Sequence, residues 1–94
     1  MRTIKYTHQF NRDFKREKKS ARHKNELDAK LSSIVKLLAA DVCLPQKNCD
    51  HPLSGEWKDH RDCHIKPDLV LIYRKPGKKT LELVRLGSHS ELGL

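Results

Sequence analysis

The run "DLVLIYRK", residues 68 to 75, constrains the fold more than any other part of the chain. From Leu69 to Tyr73 every side chain is apolar. Neighbouring strand residues point to opposite faces, so this segment is apolar on both sides and predicts a central strand covered by two layers. Such a strand needs partners. "WKDHRDCHIK" (57 to 66) reads as a strand with one solvated face, "PGKK" as a turn, and "TLELVRLGS" (80 to 88) as an alternating strand. "TIKYT" (3 to 7) adds a short N-terminal strand.

Between these lie two helices. Phe10 and Phe14 sit one turn apart, with Thr7 or His8 near the helix start. In "NELDAKLSSIVKLLAAD", Leu27, Leu31, Ile34, Val35 and Leu38 form one buried stripe, and Glu26 and Lys30 are spaced for an ion pair. Pro45 marks the exit. The order β-α-α-β-β-β predicts an α+β fold: two N-terminal helices on one face of a twisted, mainly antiparallel four-stranded sheet, leaving the opposite polar face free to bind. With 94 residues the chain supports one domain spanning 1–94. No apolar run approaches the ~18 residues of a membrane span and the start does not resemble a signal peptide, so the expectation is a cytoplasmic protein without membrane contact. Three cysteines, Cys43, Cys49 and Cys63, are an odd set without regular spacing and are expected to be thiols.

The net charge of +8 points to a polyanionic partner. The chemistry concentrates in "DHPLSGEWKDHRDCHIKPD", residues 50 to 68. Zinc would need Cys49, His51, Cys63 and His64 to converge, but their spacing is not that of a structural zinc site, and adjacent Cys63 and His64 should project to opposite faces. No metal or other cofactor is expected. Strand alternation puts His60, Asp62 and His64 on the open face, and Arg61, Cys63 and Ile65 toward the helices. Two imidazoles and a carboxylate can transfer protons, although the strand alone fits ordinary solvated side chains equally well. His51, held extended by Pro52, and His89, after the last strand, can approach the same face near Asp68. A basic surface with several histidines suits RNA cleavage by the substrate's own 2′-hydroxyl, which needs a base, an acid and cationic support for the transition state. His8 and His23 are expected to be surface residues.

The motifs D-H-x-L-x-G-x-W-K, R-x-x-H-I-x-P-D-x-x-L-I-Y and R-x-G-[ST]-H, read from "DHPLSGEWKDHRDCHIKPDLVLIY" and "RLGSHSEL", resemble the RelE/ParE superfamily of bacterial toxins, in its YafQ-like branch. The resemblance runs from the N-terminal strand nearly to the C-terminus. It implies a type II toxin acting as a ribosome-dependent mRNA endoribonuclease that cuts in the A site without a metal. It also implies a cognate antitoxin, encoded adjacently and acidic at least where it wraps the toxin, and operator DNA bound only through the antitoxin complex. His51, His64, Asp68 and His89 match the family's catalytic positions, with Asp62 a further candidate; which histidine is acid and which is base stays open. Lys58, Arg61 and Arg85 are candidates for RNA phosphate contacts. One departure stands out: relatives carry an aromatic residue in H-x-x-L-F where this chain has Gly93, implying a change in activity or codon preference. The alternatives are a basic RNA- or ribosome-binding module that does not cut, and a gyrase-directed ParE-like toxin; neither needs proton-transfer groups.

Overall fold

The computed structural model describes residues 1–20 and 26–94. The strands are β1 (Thr3–Tyr6), β2 (His51–Pro52), β3 (Arg61–Lys66), β4 (Leu69–Arg74) and β5 (Thr80–Gly87), and the helices are α1 (His8–Lys19), α2 (Leu27–Ala39) and α3 (His89–Leu92). They build a five-stranded sheet in the order β1-β5-β4-β3-β2. As its composition requires, β4 is central and buried from Leu69 to Tyr73.

The α+β class is as expected, but the four-stranded, mainly antiparallel sheet is corrected to a mixed five-stranded one. β1 runs parallel to β5, with Thr3 opposite Thr80 and Tyr6 opposite Leu83. A parallel neighbour requires a long crossover, and everything between β1 and β5 provides it. β2 is two residues long, too short to carry a periodic signal. β3 starts at Arg61 and not at Trp57, because Gly55 (φ 65°) and Asp59 (φ 69°) turn the chain through a single 3₁₀ turn at Gly55–Trp57. His60 therefore precedes the strand, and its ring packs edge-on against Trp57 with centroids 5.3 Å apart.

Thr7 ends β1 and caps α1. Its Oγ1 accepts from the Phe10 amide at 2.9 Å and its hydroxyl donates to the Val84 carbonyl at 2.7 Å, joining the helix start to β5. Phe10 and the α2 stripe Leu27, Leu31, Ile34, Val35 and Leu38 pack on Cys63, Ile65, Leu71, Tyr73, Leu81, Leu83 and Leu86. Each such side chain contributes about 1.5–3 kcal/mol through burial. Between Phe10 and Phe14 lies a fully buried carboxylate, Asp13, which accepts from Arg85 Nε at 2.7 Å, Arg16 Nη1 at 2.9 Å and the Leu86 amide at 3.0 Å. This cluster fastens α1 to the end of β5. The Glu26–Lys30 pair forms at 3.5 Å.

The second face of the sheet is not simply polar, which corrects that expectation too. Val70, Ile72 and Leu92 form a separate buried cluster with Leu53, Trp57 and Val84 against it. The double-sided apolar character of β4 demands this cover. His8 is exposed, and His23 lies outside the described residues. Among the described residues no helix is long and apolar enough to cross a membrane.

Candidate active site

Beside the second apolar cluster, five titratable side chains converge. Antiparallel pairing sets His51 of β2 directly opposite Asp62 of β3, so both side chains share a face. Two residues along β3, His64 lies on that face as well, while Cys63 and Ile65 enter the helix-side core. The turn after β3 supplies Asp68, and α3 opens with His89.

Two carboxylate–imidazole pairs result. His89 Nδ1 lies 2.9 Å from Asp68 Oδ1, and the His89 amide donates to the same oxygen at 3.3 Å. An ionised carboxylate only accepts, so Asp68 fixes the proton of a neutral His89 on Nδ1 and leaves Nε2 for chemistry. The second pair is His51 with Asp62, Nε2 to Oδ1 at 3.0 Å, close enough for an ion pair but not aligned as a hydrogen bond. His51 Nδ1 is 2.8 Å from the Cys49 carbonyl, which can only accept, so Nδ1 carries a hydrogen. His51 Nε2 and Asp62 would then be two acceptors facing each other, unless one of them is protonated. Asp62 is 3% exposed, and burial pushes its carboxyl above the ordinary value; the charges of His51, His64 and His89 pull the other way without cancelling the rise. His64 joins the two pairs: its ring meets that of His89 edge-on, centroids 5.0 Å apart at 80°.

Surrounding residues hold these groups in place. Asn48 Nδ2 donates to the His64 carbonyl at 2.8 Å. Asp50, next to His51, accepts from the Tyr73 hydroxyl at 2.6 Å and from Arg61 Nε at 3.2 Å, and burial together with Asp50 pushes the Tyr73 hydroxyl upward. The α3 turn is fixed by a capping box: Ser88 Oγ accepts from the Glu91 amide at 3.1 Å, and Glu91 Oε1 accepts from the Ser88 amide at 2.9 Å. Arg16 Nε reaches Glu91 Oε2 at 3.3 Å, so α1 braces the turn that carries His89. Gly93 ends α3 in the left-handed region at φ 72°. Apart from Arg61, expected as an RNA contact, none of these supports stood among the expected site residues, yet the S-x-x-E signature of the box is legible in "SHSE".

Of the expected site residues, His51, Asp62, His64, Asp68 and His89 come together; His60 stays with Trp57. The expected RNA contacts divide. Lys58 is exposed, whereas Arg61 is paired with Asp50 and Arg85 with buried Asp13. Cys63 is fully buried and turned away from His64, and among the described residues no group of three or more His, Cys, Asp or Glu side chains is arranged to hold a metal ion.

Residues 2–93 match the family model described as the bacterial toxin of type II toxin-antitoxin system, YafQ. The chain belongs to the YafQ toxin family. It is 41% identical over 92 residues to the mRNA interferase toxin YafQ of Escherichia coli K12, covering 97% of this chain and 95% of that one. Among solved structures it resembles the E. coli DinJ-YafQ complex, with a TM-score of 0.82, 40% identity and 98% of each chain covered. A metal-bound toxin from Helicobacter pylori is similar at a TM-score of 0.82 and 47% identity, covering 98% of this chain and 99% of that one. The mixed sheet and three helices are thus the architecture of YafQ toxins, and β2, absent from the sequence-based expectation, is what carries the first histidine of the cluster.

Proposed function

We propose that this YafQ-family toxin is a ribosome-dependent mRNA endoribonuclease that cuts in the A site by general acid–base catalysis. The observation that carries the reading is the convergence of two carboxylate–imidazole pairs, His89–Asp68 and His51–Asp62, on either side of His64. Cleavage by the 2′-hydroxyl needs one group to take a proton and another to give one. His89, its Nδ1–H held by Asp68, offers Nε2 to remove the 2′-hydroxyl proton. The 2′-oxygen then attacks phosphorus, the bond to the 5′-oxygen breaks, and a 2′,3′-cyclic phosphate remains. The proton carried by one member of the His51–Asp62 pair neutralises the departing 5′-oxygen. The His64 ring, placed between them, stabilises the charge gathering on the phosphorane oxygens by donating a hydrogen bond.

Support for the RNA substrate comes from the net charge of +8 and from the name mRNA interferase borne by the E. coli relative. The DinJ-YafQ complex supports a cognate antitoxin for this chain as well. Charge complementarity makes that antitoxin acidic where it covers the toxin, and operator DNA is reached only through the toxin–antitoxin complex. A translating ribosome as the site of action places the protein in the cytoplasm.

The test is to map mRNA 5′ ends after induction, with and without actively translating ribosomes, for the native protein and for His64→Ala and His89→Ala. Codon-phased ends that require translation, lost in both variants while antitoxin binding persists, are the expected result. Full toxicity in both variants would rule out the nuclease.

A further inference from the structure

With Arg61 held by Asp50 and Arg85 by Asp13, the question becomes which cations meet the RNA backbone near the site. A hollow of about 400 Å³ opens beside His64, lined by Lys30 of α2, Lys47 and Asn48 of the Gln46–Asn48 turn, and Lys66 and Pro67 at the end of β3. The Asn48 hydrogen bond to the His64 carbonyl ties the wall of the hollow to the strand bearing the catalytic cluster. Three ammonium groups border it, and two of them pair with a carboxylate. That carboxylate is Glu26, which lies 3.0 Å from Lys66 Nζ and 3.5 Å from Lys30 Nζ. Those two lysines lower the Glu26 carboxyl below its ordinary value, the Lys66 hydrogen bond most of all. Lys47 makes no ion pair among the described residues and is exposed.

We propose that this hollow seats a backbone phosphate of the RNA strand neighbouring the scissile one, with Glu26 standing in as the anion on Lys30 and Lys66 until RNA takes its place. The proposal rests on the ribonuclease reading and deepens it. Lysines suit such a seat because they recognise phosphate as mobile point charges without reading a base, so the hollow secures the strand and leaves sequence choice elsewhere. A phosphate bound there fixes the register of the chain over His64, which borders both sites.

The test measures binding of a short single-stranded 2′-O-methyl RNA, which cannot be cut, as a function of salt. Lys47→Gln is expected to weaken binding several-fold and to flatten the plot of log K against log salt by about 0.7, the increment for one phosphate contact on a single strand. Glu26→Gln is expected to tighten binding, because the carboxylate charge that competes with phosphate for Lys30 and Lys66 is removed. Asp41→Asn is the matched control: Asp41 likewise bridges two cations, Arg2 and Lys75, but beyond the opposite end of α2. It should titrate like the native protein. If Lys47→Gln superimposes on the native curve, or Asp41→Asn tightens binding as much as Glu26→Gln, the hollow is not a phosphate site, while the ribonuclease reading stands. If the native toxin cuts no ribosome-bound mRNA and binds no RNA at low salt, both fall together.

Discussion

Removing Asp13 should cost this protein more stability than the loss of any other single polar side chain. The carboxylate is fully buried and accepts from Arg85, Arg16 and the Leu86 amide, with the Gln9 amide 3.4 Å away. Taking one partner out of a buried ion pair costs about 3–5 kcal/mol, because the other charge is left without compensation. Arg85 keeps 23% of its side chain exposed, so water recovers part of that loss and Asp13→Ala belongs near the lower bound, about 3 kcal/mol. Asp13→Asn retains an acceptor but no charge and should cost about 1.5–3 kcal/mol. In urea, with a slope of about 1–3 kcal/mol per molar, the Asp13→Ala midpoint should fall by roughly 1–3 M. The pH dependence supplies a second check. Burial pushes the Asp13 carboxyl up, but the Arg85 and Leu86 hydrogen bonds, the Arg85 charge and the Gln9 amide more than offset it and hold it below 3.8. Folded Asp13 thus binds fewer protons than unfolded Asp13. Its contribution is complete above the unfolded value and fades as pH falls through the lower folded one. The gap between native and Asp13→Ala should stay constant from neutral pH down to the ordinary carboxylate value and close only below it. A loss under about 1 kcal/mol at pH 7, or a gap that closes well above that value, would refute this account of Asp13.

Three further outcomes follow from the site. Asp68→Asn should lower kcat on ribosome-bound mRNA by about 10²–10⁴ with little change in KM, since it replaces a carboxylate that only accepts with an amide that can also donate to Nδ1 and so no longer fixes the His89 tautomer; a kcat loss below about tenfold would show that Asp68 does not orient the base. Asp62→Asn should melt higher than the native protein at neutral pH, because a carboxyl raised by burial costs stability once it is ionised, and this advantage should vanish as pH falls and Asp62 takes up its proton. Calorimetry across that range decides it, and a lower melting temperature at pH 7 would contradict the burial argument. Gly93→Phe should destabilise by about 1–2 kcal/mol, the cost of left-handed backbone for an L residue, although a Cβ there meets nothing within 4 Å; an unchanged or higher melting temperature would count against it.

Gly93 also shows how a sequence departure changes meaning once the backbone is known. Set against the family motif it is a missing aromatic, but in the fold it is the left-handed cap that ends α3. The elements legible in the chain were those with a period: the two-sided run of β4, the stripe of α2 and the alternation of β5. What escaped had none. β2 is two residues long, too short to show a period, and β1 beside β5 depends on a crossover that local pattern does not encode. At the candidate site, motif and alternation anticipated that His51, Asp62, His64, Asp68 and His89 come together, but not how they pair. Asp62 and Asp68 are six residues apart and each faces an imidazole, and opposite burial separates them. Exposed Asp68 orients an imidazole, while buried Asp62 is driven toward its protonated form.

Charge was the least legible property. Lys and Arg outnumber Asp and Glu by 20 to 12, but which cations are available is a matter of contacts. Arg61 and Arg85, candidates for RNA contacts as cations near the site, are held by Asp50 and by a carboxylate inside α1 that looks like any solvated helix residue. Lys47, in a loop with no motif, has no acidic partner among the described residues and borders the hollow beside His64. A charge that already stabilises the fold through a buried partner cannot also be given to a substrate without loss of stability. The cations that bind RNA near this site should therefore be sought where the fold has committed no carboxylate, or only the exposed and displaceable one of Glu26.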